Sequence, residues 1–369
     1  MRRTLTEKIS QKTWSIEQAG NRVLTSSNGG KVKEKAFTDA DEAAKHVQKE
    51  TWSRLKKGFV LHNPQAEAGQ PVLHRYIGGG YTGFMPLAPV DGTNTFFCAY
   101  TVNQFEKEEV YLMDEHGETK ETFELPGERL IFEMRYCSAQ RVLLMNIDHQ
   151  IVGLFPDNRE VRPYTSKAAV PASALALSGA AAAWADNSDL VVYDLEANTV
   201  RYKAKAECEL YEGHTPQLCA SLSPDGSLLA YCTRSDEIAL VDISKGLERK
   251  IPKAKKAMTA GMAFSPDGRR LFTQERYGSW SLKCYDLNTL SEVGIDALSD
   301  DIKSFAIHPS KELLAVYNYG AIRLFDLRTL KLTLEFKIEH TVKNCALAFT
   351  EDYLAVYTDY GCISLYAIE

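Results

Sequence analysis

The chain has 369 residues, 44% of them hydrophobic and 25% charged, with a net charge of −6, values ordinary for a folded chain able to bury a sizeable core. No apolar run approaches the ~20 residues of a membrane-spanning helix, and the polar stretch after Met1-Arg2-Arg3 offers no secretory signal core. The eight cysteines include no Cys-x-x-Cys pair and mostly lie in strand-like apolar runs, so they read as reduced core thiols of a cytoplasmic protein.

Residues 1–64 carry 13 Lys and Arg against 7 Asp and Glu, a balance of +6, whereas the rest of the chain carries 30 against 42, a balance of −12. A small basic module on an acidic body is therefore expected. Within it, residues 12–18 alternate like a strand, Gly20-Asn21 supplies a hairpin turn, and Arg22-Val23-Leu24-Thr25 returns. A third strand is predicted over 31–37. A helix follows, capped by Thr38 or Asp39, with Asp41 and Glu42 at its positive end and Ala40, Ala44, Val47, Thr51 and Leu55 near helical spacing. Gly58 stops it, and Phe59-Val60-Leu61 can form a last strand. Trp14 and Trp52 are expected in the module's core.

This layout resembles the WGR domain, found in poly(ADP-ribose) polymerases and in bacterial proteins. The matching residues are Trp14-Ser15-Ile16-Glu17, Gly20-Asn21-x-Val23, Gly30-Lys31-Val32-Lys33-x-Lys35-x-Phe37, Ala43-Ala44 and Lys56-Lys57-Gly58-Phe59. The segment that should hold Trp-Gly-Arg reads Leu24-Thr25-Ser26-Ser27-Asn28-Gly29-Gly30 and has neither Trp nor Arg. The family's DNA-end contacts through those two residues therefore do not carry over. Lys31, Lys33 and Lys35, alternating onto one strand face, are the remaining candidates for weak anion or nucleic-acid contact; the alternative is a solvated sheet face.

Residues 63–71 read as a linker between a module at 1–62 and a second domain at 72–369. In that domain Ser223-Pro224-Asp225-Gly226 recurs as Ser265-Pro266-Asp267-Gly268 and, altered, as His308-Pro309-Ser310-Lys311, with proline spacings of 42 and 43. Each copy precedes a strand ending in Asp: Val241-Asp242-Ile243, Tyr285-Asp286-Leu287, Phe325-Asp326-Leu327. A repeat of this length made of short strands and turns is a β-propeller. The fold expected is mainly β, a seven-bladed propeller carrying a small α/β module. Its last repeat, 344–369, is too short for four strands, so the segment near Val72–Ile77 is expected to close the ring, since an open ring would leave unpaired edges.

The repeats resemble the WD-repeat family in length, in the Ser-Pro-Asp-Gly turn and in the Asp ending the third strand. Only Gly213-His214 matches that family's Gly-His pair, and no Trp-Asp dipeptide occurs. Where the family usually places Asp before a glycine, three successive repeats read Tyr277-Gly278, Tyr319-Gly320 and Tyr360-Gly361. With Arg276, Trp280 and Arg234 nearby, these tyrosines are expected to gather at one end of the ring as a partner-binding cluster, Tyr and Arg being favoured at interface hot spots. The alternative is that each packs on its own blade.

No phosphate loop and no nucleophile elbow occurs, and the histidines 46, 62, 74, 116, 149, 214, 308 and 340 include no metal-ligand spacing such as His-x-x-x-His. No catalytic residue, metal or cofactor is assigned. The reading is a non-enzymatic scaffold with protein partners of unknown identity. The alternatives are a nucleic-acid-associated regulator using the basic module, and an enzyme with a site at the channel mouth.

Overall fold

The computed structural model describes residues 2–78, 85–101, 108–125, 130–166, 172–173, 175–186, 189–206, 218–277, 279–296, 298, 301–340 and 343–369. Gly79-Gly80, Cys208, Gly213-His214 and Gly278 lie outside the described residues.

The N-terminal module is built from β1 (Arg2–Glu7), β2 (Thr13–Ala19), β3 (Arg22–Ser27), β4 (Lys33–Ala36), helix α1 (Ala40–Leu55) and β5 (Phe59–His62). Asp39 is the N-cap, its carboxylate accepting from the Glu42 N–H at 2.8 Å. The buried helix face runs Ala43, Val47, Thr51, Leu55, one residue in every four. Ala40 and Ala44 of the expected face lie beside it, because the stripe is set by contact with Leu5, Trp14, Ile16, Val23 and Leu61 of the sheet. Strand β1 was not expected. It pairs antiparallel with both β2 and β5 and so sits in the middle of the module's sheet.

The segment expected as a linker is a short ordered connection: the Asn63 N–H donates to Val72 O at 2.7 Å and the Gly69 N–H to Ala367 O at 2.8 Å. It leads directly into β6 (Pro71–Tyr76), which pairs with β5 on one side. On its other side β6 pairs with Cys362–Ala367, placing His74 opposite Ser364.

The remaining strands form antiparallel sheets of a β-propeller with one helix in the described chain. Six sheets are self-contained, each of four strands except one, which gains Ala172–Ser173 as a parallel fifth. The sequence reading counts seven blades. The difference lies in Cys345–Phe349, Tyr353–Thr358 and Cys362–Ala367, which are not a separate sheet: through β6 and β5 they run on into the module as one nine-stranded sheet. A strand presents hydrogen-bonding groups on both edges, and β6 uses both.

Core packing lies between neighbouring sheets. Phe97 and Val110 meet Met134, Leu143 and Met145 in one such layer, and Ile238, Leu240 and Ile251 meet Phe264, Leu271 and Tyr285 in another. Repeat residues earn their recurrence through turn chemistry. The Ser223 hydroxyl donates to Asp225 at 2.6 Å and accepts from the Leu228 N–H at 2.8 Å. Ser265 and Asp267 reproduce this, with 2.6 Å to the carboxylate and 3.0 Å from the Arg270 N–H. Gly226 and Gly268 both take φ +67, a left-handed conformation that favours glycine. In the altered copy the His308 imidazole replaces the serine, its Nδ1 accepting from the Lys311 N–H at 3.0 Å. The strand-ending aspartates accept turn N–H groups: Asp286 from Asn288 and Thr289 at 2.9 Å, Asp326 from Thr329 at 2.7 Å.

Candidate functional site

Two of the three tyrosine turns build a common patch. Tyr277 and Tyr319 both take positive φ, 49 and 40, which is uncommon for an aromatic residue. The Tyr277 ring lies 5.6 Å from Trp280. The Lys303 ammonium sits 4.3 Å from the Trp280 ring centroid and 4.9 Å from that of Tyr319, so one cation bridges two aromatic faces from adjacent blades. Tyr319 remains 57% exposed. Half-buried Arg276 borders the patch at the end of its strand, Arg270–Arg276. Lys303 was not singled out in the sequence; nothing in its local pattern distinguishes it from other surface lysines.

Tyr360 goes elsewhere. Its ring lies 5.4 Å from Trp52 of helix α1, so the third turn meets the N-terminal module instead of the other two tyrosines. Trp52 is half-buried, packing against the module's core cluster as expected while also lining the seam with the ring. It also packs edge-on against Tyr76 at 5.3 Å and stacks on His340 at 5.0 Å. Trp14, by contrast, is buried in the module core. Arg234 is exposed and bound to its own turn, with Asp236 at 3.1 Å and Glu237 at 3.6 Å.

The lysine stripe is shorter than expected. Lys31 precedes β4, so strand alternation covers only Lys33 and Lys35, opposite Thr25 and Val23. All three are exposed at the open edge of the sheet. Lys35 lies over the Phe37 ring at 5.0 Å.

A second constellation, absent from the sequence reading, lies under Trp52 at the seam between module and ring. Arg3 of β1 reaches across to Glu339 with a two-pronged contact, Nη1 to Oε2 at 2.6 Å and Nη2 to Oε1. Both side chains are about nine-tenths buried. Glu339 Oε2 also faces His74 Nε2 at 3.7 Å and His340 Nε2 at 3.6 Å. His74 is wholly buried, and its Nδ1 lies 2.6 Å from the Ser364 hydroxyl. The Glu339 N–H donates to the Tyr366 hydroxyl at 3.1 Å, and His340 O accepts from the Thr358 hydroxyl at 2.6 Å.

Burial holds both imidazoles neutral, lowering His74 to about 3 and His340 to about 4. Burial by itself would raise Glu339, but the hydrogen bond and charge of Arg3 oppose it, and the carboxyl is brought down to about 2. The sequence carried one signal for this site: a histidine inside the otherwise apolar start of β6, Val72-Leu73-His74.

A groove of about 430 Å³ lies beside the Ser265–Asp267 turn and is lined by Arg269, Arg270 and Arg328 among acidic neighbours. Arg270 is spent on Leu327 O and Arg328 O, and Arg328 on Glu312, so the groove is a charge-balanced joint between blades.

No protein family model matches the chain. Over 218 residues it is 22% identical to WD repeat-containing protein 90 of Xenopus tropicalis, a match covering 58% of this chain and 11% of that protein. The chain thus spans about a tenth of the length of that curated relative. Among solved structures, a chain of the Crystal Structure of Mitotic Checkpoint Complex superposes with a TM-score of 0.63 at 12% identity, covering 83% of this chain and 93% of that one. The second likeness shows the fold alone. Together with the sheet order they make the architecture a WD-repeat-like β-propeller. No helix among the described residues is long and apolar enough to cross a membrane.

Proposed function

We propose that the protein is a non-enzymatic interaction scaffold that holds a protein partner on the patch formed by Tyr277, Trp280, Lys303 and Tyr319. The observation that carries this reading is the Lys303 ammonium lying between two partly exposed rings of adjacent blades. Rigid aromatic groups supply contact area at low entropic cost, and the lysine adds a preference for a partner segment pairing an acidic group with an apolar one. The structural neighbour belongs to a multiprotein complex, which agrees with an assembly role.

In this reading the ring has seven blades over residues 72–369. The seventh consists of the last three strands and β6 within the nine-stranded sheet. Residues 1–62 are a WGR-like accessory module joined through 63–71. The run of β2, β3 and β4 into helix α1 and then β5 supports that likeness, with β1 as an added strand, and the missing Trp-Gly-Arg limits nucleic-acid contact to weak phosphate binding by Lys31, Lys33 and Lys35.

Affinity capture with the intact chain tests the patch. Replacing Tyr277, Trp280 and Tyr319 together by Ser should leave the fold intact by circular dichroism while removing the partners that the unaltered chain retains. Tyr360→Ser should instead keep those partners and lower the melting temperature, because Tyr360 packs on Trp52. A triple variant that unfolds, or one that keeps every partner, refutes the assignment.

A further inference from the structure

We propose that His74, Glu339 and His340 form a binding site for a single divalent transition-metal ion, zinc(II) by preference, at the seam between the N-terminal module and the ring.

The ligand atoms converge. Glu339 Oε2 lies 3.7 Å from His74 Nε2 and 3.6 Å from His340 Nε2, and all three lie within 4.8 Å of one another. Ligands bound at about 2.0–2.1 Å around a tetrahedral ion stand about 3.4 Å apart, so an ion needs only small side-chain movements. The observed separations exceed hydrogen-bonding distance. Accordingly, His74 Nε2 and His340 Nε2 are both buried without a hydrogen-bond partner. One orphaned buried nitrogen is costly; two aimed at the same carboxylate oxygen are a donor set.

The surrounding residues fix each ligand as second-sphere groups do in metal sites. Ser364 holds His74 Nδ1 at 2.6 Å. Whichever of the two groups donates, Nε2 stays unpaired, and an ion would select the tautomer with the proton on Nδ1. His340 is stacked on Trp52 and takes φ +58, with its carbonyl held by Thr358. Glu339 is held by Tyr366 through its backbone and by Arg3 through its carboxylate.

Arg3 sets the ion's identity. Its guanidinium already neutralises Glu339, which weakens the site for hard ions that depend on carboxylate charge. Two imidazole nitrogens remain the main donors, which suits zinc and its neighbours and excludes calcium and magnesium. An ion there would tie β6 to the residues preceding the last blade.

The test uses the full chain, stripped with a chelator and titrated with zinc chloride by calorimetry, with bound metal measured after desalting. One tight equivalent and a raised melting temperature are expected. His74→Gln and His340→Gln should each lose at least about tenfold in affinity. The exposed His62–His116 pair, with ring nitrogens 3.1 Å apart, is the other place zinc could settle, so His116→Gln should bind as the unaltered chain does. Cobalt(II) titration of the unaltered chain gives an independent readout, with visible absorption of tetrahedral type expected. The proposal is overturned if the unaltered chain takes up no tight equivalent, if His340→Gln retains it, or if His116→Gln loses it.

Discussion

Replacing Arg3 by Ala tests whether the module and the ring stand as one unit. Arg3 and Glu339 are 336 residues apart, both about nine-tenths buried, and joined by two charge-assisted hydrogen bonds. Removing one partner of a buried pair leaves the other charge without compensation, at about 3–5 kcal/mol. Both side chains keep some exposure, so the lower end, about 3 kcal/mol, is expected for Arg3→Ala. Arg3→Lys keeps the charge but not the planar fork and should fall between. The double variant Arg3→Met, Glu339→Met removes both charges and should recover most of the loss, because a well-packed apolar pair is often as stable as a buried ionic one. Urea unfolding of the chelator-treated chain, followed by tryptophan fluorescence, is a suitable assay because Trp52 stacks directly above this site on His340. A loss below about 1 kcal/mol, the range of an exposed surface pair, would refute the reasoning. So would a double variant no more stable than Arg3→Ala.

Acid should loosen the same seam. His74 and His340 are held neutral in the fold, at about 3 and about 4, whereas in the unfolded chain they take up protons near about 6.5. Their stabilising contribution is therefore complete above that value and is lost as pH falls from about 6.5 toward 4. Glu339, at about 2, stays charged throughout this window. Melting temperatures between pH 8 and 4.5 should decline less steeply in His340→Gln, and identical slopes would contradict this. For nucleic acid, salt titration with labelled duplex DNA should give binding no tighter than about 10⁻⁶ M at physiological salt; tighter binding would show that the module reads DNA without its Trp-Gly-Arg.

Much of the architecture could be read from the chain because its signals are local. The Ser-Pro-Asp-Gly turns work through hydrogen bonds spanning five residues, Ser223 to Leu228 and Ser265 to Arg270. The helix cap is set by Asp39 and Glu42 within one turn. Strand β1 escaped notice because Arg2–Glu7 has one apolar residue, Leu5, and no alternation to reveal it. The sheet count differed because pairing of β5 with β6 is a choice between edges, which depends on where the module sits. The seam cluster was hidden for the same reason. Residues 3, 74 and 339–340 come from three distant segments, and a spacing search over histidines cannot find ligands that only tertiary folding brings together.

The three tyrosine turns also show why a repeated motif need not repeat its role. Tyr277 and Tyr319 face the Trp280–Lys303 pair, but Tyr360 meets Trp52 from a helix of the chain's own module. There the turn packs against an aromatic side chain carried on a helix, and the Lys56 ammonium lies 5.8 Å from the Trp52 ring. The next blade offers Tyr319 in the equivalent turn, with Lys303 supplying the cation from the ring itself. Under the proposed function, a partner at Tyr319 therefore has no need of its own basic residue and gains from an acidic one. In the same proposed reading, the module occupies one such position on the ring through Trp52 and Tyr360, and the exposed patch around Tyr319 is the one offered to a protein partner.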